Sequence, residues 1–167
     1  MLVDLTVTTN QPHWLSEDES RAWIPFVGVL LKLPQALDTA MRQRTGLSHF
    51  EYAVMSAMSE ADGRTRTMSE LAEFANASLS RLSHVVAKLE QRGWVRRSTC
   101  PTSARVTLAT LTDEGMAVVV ETAPQHLEAV RALVIDALEP DQLPHLTAIA
   151  GRILANLSES ADRPGGA

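Results

Sequence analysis

Cysteine is nearly absent from this 167-residue chain, and long apolar runs and recognisable catalytic motifs are missing altogether. A lone cysteine, Cys100, excludes an intrachain disulfide framework and any Cys-x-x-Cys zinc or redox motif. No stretch reaches the roughly 20 apolar residues that span a membrane. The best, Val27 to Leu33, is short and contains Lys32. Asp4 and the lack of a basic leading segment argue against a secretory signal, so a cytoplasmic chain is expected. There is no HExxH, no GxSxG, no phosphate-binding glycine loop and no pair of histidines at metal-ligand spacing. The acidic run Glu17-Asp18-Glu19 reads as a solvated first helical turn. No enzyme, cofactor or metal is expected.

What is present is a chain with 45% apolar and 21% charged residues, long enough to bury about two thirds of its unfolded surface. Its net charge of −5 is unevenly placed. Between Arg64 and Arg105 stand eight basic side chains against three acidic ones, Glu70, Glu73 and Glu90. A basic middle in an acidic frame fits a phosphate-binding surface on an otherwise repelling body. Chance clustering on a solvated face is the competing reading, and local structure has to decide.

Residues 1–15 show no periodicity. Ser16 with Glu19 then has the spacing of a reciprocal capping box, followed by a helical stripe of Trp23, Phe26, Val27, Leu30, Leu37 and Met41. Pro25 and Pro34 predict a late start or a kink. Ser48 with Glu51 opens a second helix that runs to about Ala61. Thr67 with Glu70 opens a short third, bearing Leu71, Phe74 and Ala75. Ser78 caps a fourth, whose Leu82, Val85, Val86 and Leu89 face inward while Ser80, Arg81, Ser83, His84 and Lys88 face outward. Gly93 sits where a left-handed residue ends that helix. Two helices joined by a tight turn over Thr67 to Arg92 are a helix-turn-helix. Trp94–Arg97 and Val106–Leu111 read as strands around a turn-rich Ser98–Ala104, which makes the hairpin a wing.

Thr112 caps a long fifth helix with Asp113 and Glu114 in its first turn, but Gly115 occupies the capping-box position. Its stripe runs Met116, Val120, Ala123, Leu127, Val130, Val134, Leu138, through Pro124, which should bend it. Pro140 suits the first position of a sixth helix carrying Leu143, Leu146, Ile149, Ile153 and Leu157. The first, fifth and sixth helices bear more apolar stripe than one chain can cover, which points to a symmetric dimer. The predicted class is mainly α with a small β-hairpin wing. It divides into an arm and first dimerisation helix (1–46), a winged helix-turn-helix (47–112), C-terminal dimerisation helices (113–160) and a disordered tail (161–167).

Three stretches, Met68–Ala72, Leu89–Arg96 and Cys100 through Leu111-Thr-Asp-Glu-Gly115, resemble the MarR family of bacterial winged-helix transcriptional regulators. The family's wing signature is Asp, one residue, Arg, five residues, then Leu-Thr. Arg105 and Leu111-Thr112 match it, while Ser103 replaces the Asp and Ala104 stands where many relatives carry a second Arg. The resemblance implies a homodimer that binds a short palindrome in double-stranded DNA, most often as a repressor, and is released by a small aromatic or anionic ligand. It also implies that Arg105 enters the minor groove. Ser103 offers that arginine no charge, so a weaker wing is expected.

Candidate DNA contacts are Ser80, Arg81, Ser83 and His84 for base edges, Ser78 as a cap beside phosphate, and Lys88, Arg96, Arg97 and Arg105 for the backbone and wing. Strand alternation allows only one of Arg96 and Arg97 to face DNA. By family analogy, Trp14, Trp23, Phe26, Tyr52, Met55, Met58 and His126 are candidate ligand-lining residues, set against the plain reading that each is core. Cys100 beside Pro101 reads as a packing residue of the hairpin rather than a redox sensor. The competing function is a small-molecule-binding or protein-interaction module on the same fold, with DNA binding weakened at Ser103 and Ala104.

Overall fold

A computed structural model describes residues 12–161. Most of the expected arm, and all of the expected tail but its first residue, lie outside the described residues. The chain begins with a 29-residue helix, α1 (Glu17–Thr45), capped reciprocally by Ser16 and Glu19 and closed by left-handed Gly46. Pro25 and Pro34 sit inside it without delaying or dividing it. The carbonyls that lose their helical N–H partners, of Arg21 and Leu30, belong to exposed residues, where another donor can reach them.

Helix α2 (His49–Ser59) follows, with Ser48 and Glu51 forming the expected box, and ends two residues earlier than the sequence predicts. A strand that the sequence does not signal comes next, β1 (Thr65–Thr67). Helix α3 (Met68–Phe74) is capped by Thr67 and Glu70, and α4 (Leu79–Gln91) by Ser78. Asn76, at φ 44°, makes the sharp turn between them, a conformation its short polar side chain tolerates. Strands β2 (Val95–Cys100) and β3 (Ser103–Leu111) are longer than expected, and all but Pro101 and Thr102 of the presumed loop is strand. β3 lies between β1 and β2, antiparallel to both.

Helix α5 (Asp113–Leu133) starts at the Thr112 cap and continues through Pro124. A 3-10 turn (Ile135–Ala137) precedes α6 (Gln142–Ala161). Pro140 therefore lies outside α6 rather than at its first position. The inward face of α5 is also offset from the expected stripe: Val119, Thr122 and Ala129 are buried, whereas Val120 and Leu127 are exposed. The core is built on Met41, Val54, Met55, Met58, Leu71, Leu82, Val86 and Leu89, all fully buried, and joins the end of α1 to α2, α3 and α4. The apolar residues of α6, from Leu143 to Leu157, remain exposed, as do Trp23, Ile24, Val29, Leu30 and Leu31 of α1. Among the described residues no helix is long and apolar enough to cross a membrane.

Candidate nucleic-acid interface

Helix α4 presents its first two turns to solvent beside the wing. Its buried stripe, Leu82, Val86 and Leu89, anchors it to the core and leaves Ser80 and His84 exposed. The Ser78 hydroxyl accepts the Arg81 backbone N–H at 3.2 Å, and no acidic side chain occupies the first turn. The positive end of the helix is therefore not neutralised by a carboxylate of its own. A cleft of about 300 Å³ separates α4 from the wing, and Ser69, Leu79, Ser83, Arg97, Arg105 and Thr107 are among its lining residues.

The wing projects Arg105 through a register break. Between the pairs Thr99–Thr107 and Cys100–Ser103, β3 carries Ala104, Arg105 and Val106 with no opposite residues on β2. Such an irregularity re-aims side chains at a strand end, and Arg105 is exposed. Ser103, in place of the family's Asp, pairs with Cys100 across the tip.

The fate of the basic side chains is the main finding that sequence reasoning missed. Six of the eight between Arg64 and Arg105 are already engaged. Arg64 pairs with Asp113 at 2.8 Å, and the Arg66 Nε donates to the Ala57 carbonyl at 2.8 Å. The guanidinium of Arg81 lies 4.4 Å from the centre of the Phe50 ring, and that of Arg92 lies 4.8 Å from Trp94. Lys88 pairs at 2.6 Å with Glu51, which is only 2% exposed. Burial pushes the Glu51 carboxyl up, but hydrogen bonds from Lys88 and Ser48 bring it below its ordinary value. Arg97 pairs with Glu90 at 2.7 Å and also donates its backbone N–H to it, holding that carboxyl low. Among the described residues, Arg96 and Arg105 are the two basic side chains of this segment left without a partner. The strand alternation is as expected: Arg96 is exposed, while Arg97 turns toward α4.

The candidate ligand-lining residues do not converge. Met55 and Met58 are fully buried core and leave nothing of their side chains for a ligand. Trp14 is exposed, and Trp23 and Phe26 form a tilted pair 6.2 Å apart on the open face of α1. Tyr52 and His126 do meet, with ring centres 4.7 Å apart, where α2 touches α5, and His49 stacks on His126 at 5.5 Å. Nothing local in the sequence marks His49, the first residue of α2 after the Ser48 cap, as part of such a cluster. The Nδ1 atoms of both histidines are buried without a hydrogen-bond partner. The thiol of Cys100 is held below its ordinary value by hydrogen bonding with Thr102, not by Arg96 or Arg97.

Burial lowers both histidine pKa values. Asp38 opposes the shift at His49, and the neighbouring ring reinforces it at His126. Each imidazole therefore binds a proton less readily in the fold than in the unfolded chain. Their contribution to stability is complete above the ordinary value of 6.5 and is lost as pH falls below it. A thermal midpoint that drops between pH 7.5 and 5.5, and drops less in His126→Phe, is the expected result. Parallel pH profiles for the two proteins would assign the loss to other groups.

The family model described as MarR family matches residues 48–107, from the cap of α2 into the wing. A MarR family transcriptional regulator from Streptomyces coelicolor, solved in complex with DNA, is 39% identical with a TM-score of 0.81, covering 90% of this chain and 98% of that one. AbsC, another MarR family regulator from Streptomyces coelicolor, is 32% identical with a TM-score of 0.79, covering 89% and 99%. YdcH, an uncharacterized HTH-type transcriptional regulator of Bacillus subtilis (strain 168), is 32% identical over 71 residues, 41% of this chain. That match spans 48% of YdcH, about half its length. These relatives are transcriptional regulators rather than enzymes. With a recognition helix, a wing and relatives of this identity along nearly its whole length, the chain belongs to the MarR family of winged-helix, DNA-binding transcriptional regulators.

Proposed function

We propose that the protein is a homodimeric repressor that binds a short palindromic operator and releases it when a small aromatic or anionic ligand binds. The observation that carries the DNA half is the pairing of an exposed, uncapped-by-acid recognition helix with two unpartnered arginines, Arg96 and Arg105, on the adjacent wing. Ser80, Ser83 and His84 take the base-reading role, and Ser78 lies beside phosphate. Arg96 and Arg105 supply the charge, while Arg81, Lys88 and Arg97 first position α4 and β2 through Phe50, Glu51 and Glu90. Dimerisation is supported by the exposed apolar residues of α1 and α6, which an isolated chain leaves in water. A two-fold dimer places two recognition helices on half-sites about 34 Å apart. The ligand part rests on Tyr52 and His126, where α2 meets α5, because a molecule seated there touches both the DNA-binding and the dimerising helices.

Selection from random duplex DNA, followed by fluorescence anisotropy on the best site, tests the reading. An inverted repeat is expected. Four free arginines per dimer, each neutralising a phosphate at a slope of about −0.9, give about a hundredfold loss of affinity between 50 and 200 mM salt. No enriched palindrome, or affinity indifferent to salt, would instead favour a small-molecule-binding or protein-interaction module on this fold.

A further inference from the structure

Two large apolar side chains of the helix-turn-helix and wing are left in the open. They are Phe74 at 59% and Leu79 at 55% exposure, at the two ends of the turn joining α3 to α4. The other exposed large apolar residues among those described lie before residue 46 or beyond residue 113, on or just before the helices that a dimer would cover. Phe74 shares a groove with Leu154 and Leu157 of α6, so an apolar surface already faces it. Leu79 is placed differently. It is the first residue of α4, immediately after the Ser78 cap, and it opens onto the cleft that also holds Ser83, Arg97 and Arg105.

That setting matches one chemical feature of duplex DNA. In the major groove, thymine alone presents a methyl group, and it does so beside its O4 acceptor. A cleft between a recognition helix and a wing is where one sugar–phosphate strand would run, with the Ser69 and Ser83 hydroxyls and the Arg105 guanidinium along it. An aliphatic side chain at the helix edge of that cleft would face the groove beside that strand. Exposed single leucines are common on protein surfaces, but this one stands at the start of the helix that reads DNA. Removing its surface from water on binding is favourable only if the opposing group is apolar.

We propose that Leu79 is a specificity-determining residue that packs on the C5-methyl of one thymine in each half-site. The inference rests on the DNA-reading function above. The test replaces each thymidine of the selected operator in turn with 2′-deoxyuridine, which removes only the methyl, and measures affinity by anisotropy. For the parent protein, one symmetry-related pair of thymines is expected to be sensitive. Affinity should fall about fourfold for one substitution and about fifteenfold for both, as the loss of one buried methyl per half-site requires. Leu79→Ala should bind the thymine site more weakly and lose nothing further with uracil, while Leu79→Met keeps the discrimination.

Circular dichroism melts of both variants should match the parent, since Leu79 lies outside the core. Sequence-selective binding with no methyl-sensitive position, or equal sensitivity in Leu79→Ala, overturns the Leu79 assignment and leaves the DNA-reading function standing. Binding that never distinguishes the selected site from random duplex overturns both.

Discussion

Gly115→Ala is expected to lower the thermal midpoint by about 10 °C, a loss of about 3 kcal/mol at 2–4 °C per kcal/mol for a chain of this size. A β-carbon at position 115 would lie 2.2 Å from the Trp94 carbonyl oxygen, 2.8 Å from Cδ1 of Leu111 and 3.0 Å from the Trp94 carbonyl carbon. Two of these three neighbours are backbone, so no rotamer change relieves the clash. The same Trp94 carbonyl accepts the Thr112 N–H at 3.0 Å, and the Thr112 hydroxyl donates to the Gly93 carbonyl at 2.8 Å. Moving the carbonyl by the ångström or so that alanine demands would break the seam joining the end of α4, the base of the wing and the start of α5. The effect should therefore reach the wing, with DNA affinity falling as well as stability. Differential scanning calorimetry checks the first part; a midpoint within 2 °C of the parent would mean the seam yields without cost.

Arg105→Ala is expected to weaken operator binding by 10- to 100-fold, or about 1–3 kcal/mol, with little change in the melting temperature. Arg105 is exposed, is projected by the register break in β3 and holds no partner whose loss would destabilise the fold. Its removal should also flatten the dependence of affinity on salt by about two phosphate contacts per dimer. Arg97→Ala makes the informative contrast. Arg97 ties β2 to Glu90 of α4, so its loss should lower stability and affinity together. Anisotropy titrations at two salt concentrations separate these cases. Unchanged binding by Arg105→Ala would show that this arginine makes no DNA contact, the outcome expected if Ser103 leaves it unheld.

The order of elements was legible because the signals that start helices are local. Ser16, Ser48, Thr67, Ser78 and Thr112 each cap a helix as expected, since a cap accepts an N–H only three residues away and depends little on the rest of the fold. Gly93, at φ 77°, ends the α4 turn for the same kind of reason. The helix-turn-helix and hairpin followed from these signals, and the MarR resemblance from the residues they frame. Gly115 marks the boundary of this legibility. The sequence showed that the capping box was incomplete there, and only the approach of the Trp94 carbonyl gives the reason.

What the tertiary structure decided is what depends on partners far along the chain. Strand β1 is three residues, Thr-Arg-Thr, with no apolar alternation, and it exists because β3, over 40 residues later, offers an edge with which it pairs. The hairpin extended through Ser98–Cys100 because the ladder with β3 satisfies backbone groups that propensity alone left unassigned. The prolines of α1 did not interrupt it, because the residues whose carbonyls they free are exposed. The basic segment looked uniform in sequence. Its division into six engaged side chains and two free ones was set by Glu51, Glu90, Asp113, Phe50, Trp94 and the Ala57 carbonyl, most of them on other elements. Sequence by itself determined where the first five helices begin and which family the chain resembles, since both are written in short-range spacing. Which charges remain available to DNA was decided by the fold, because an arginine is free only when no distant carboxylate, ring or carbonyl has been brought within its reach.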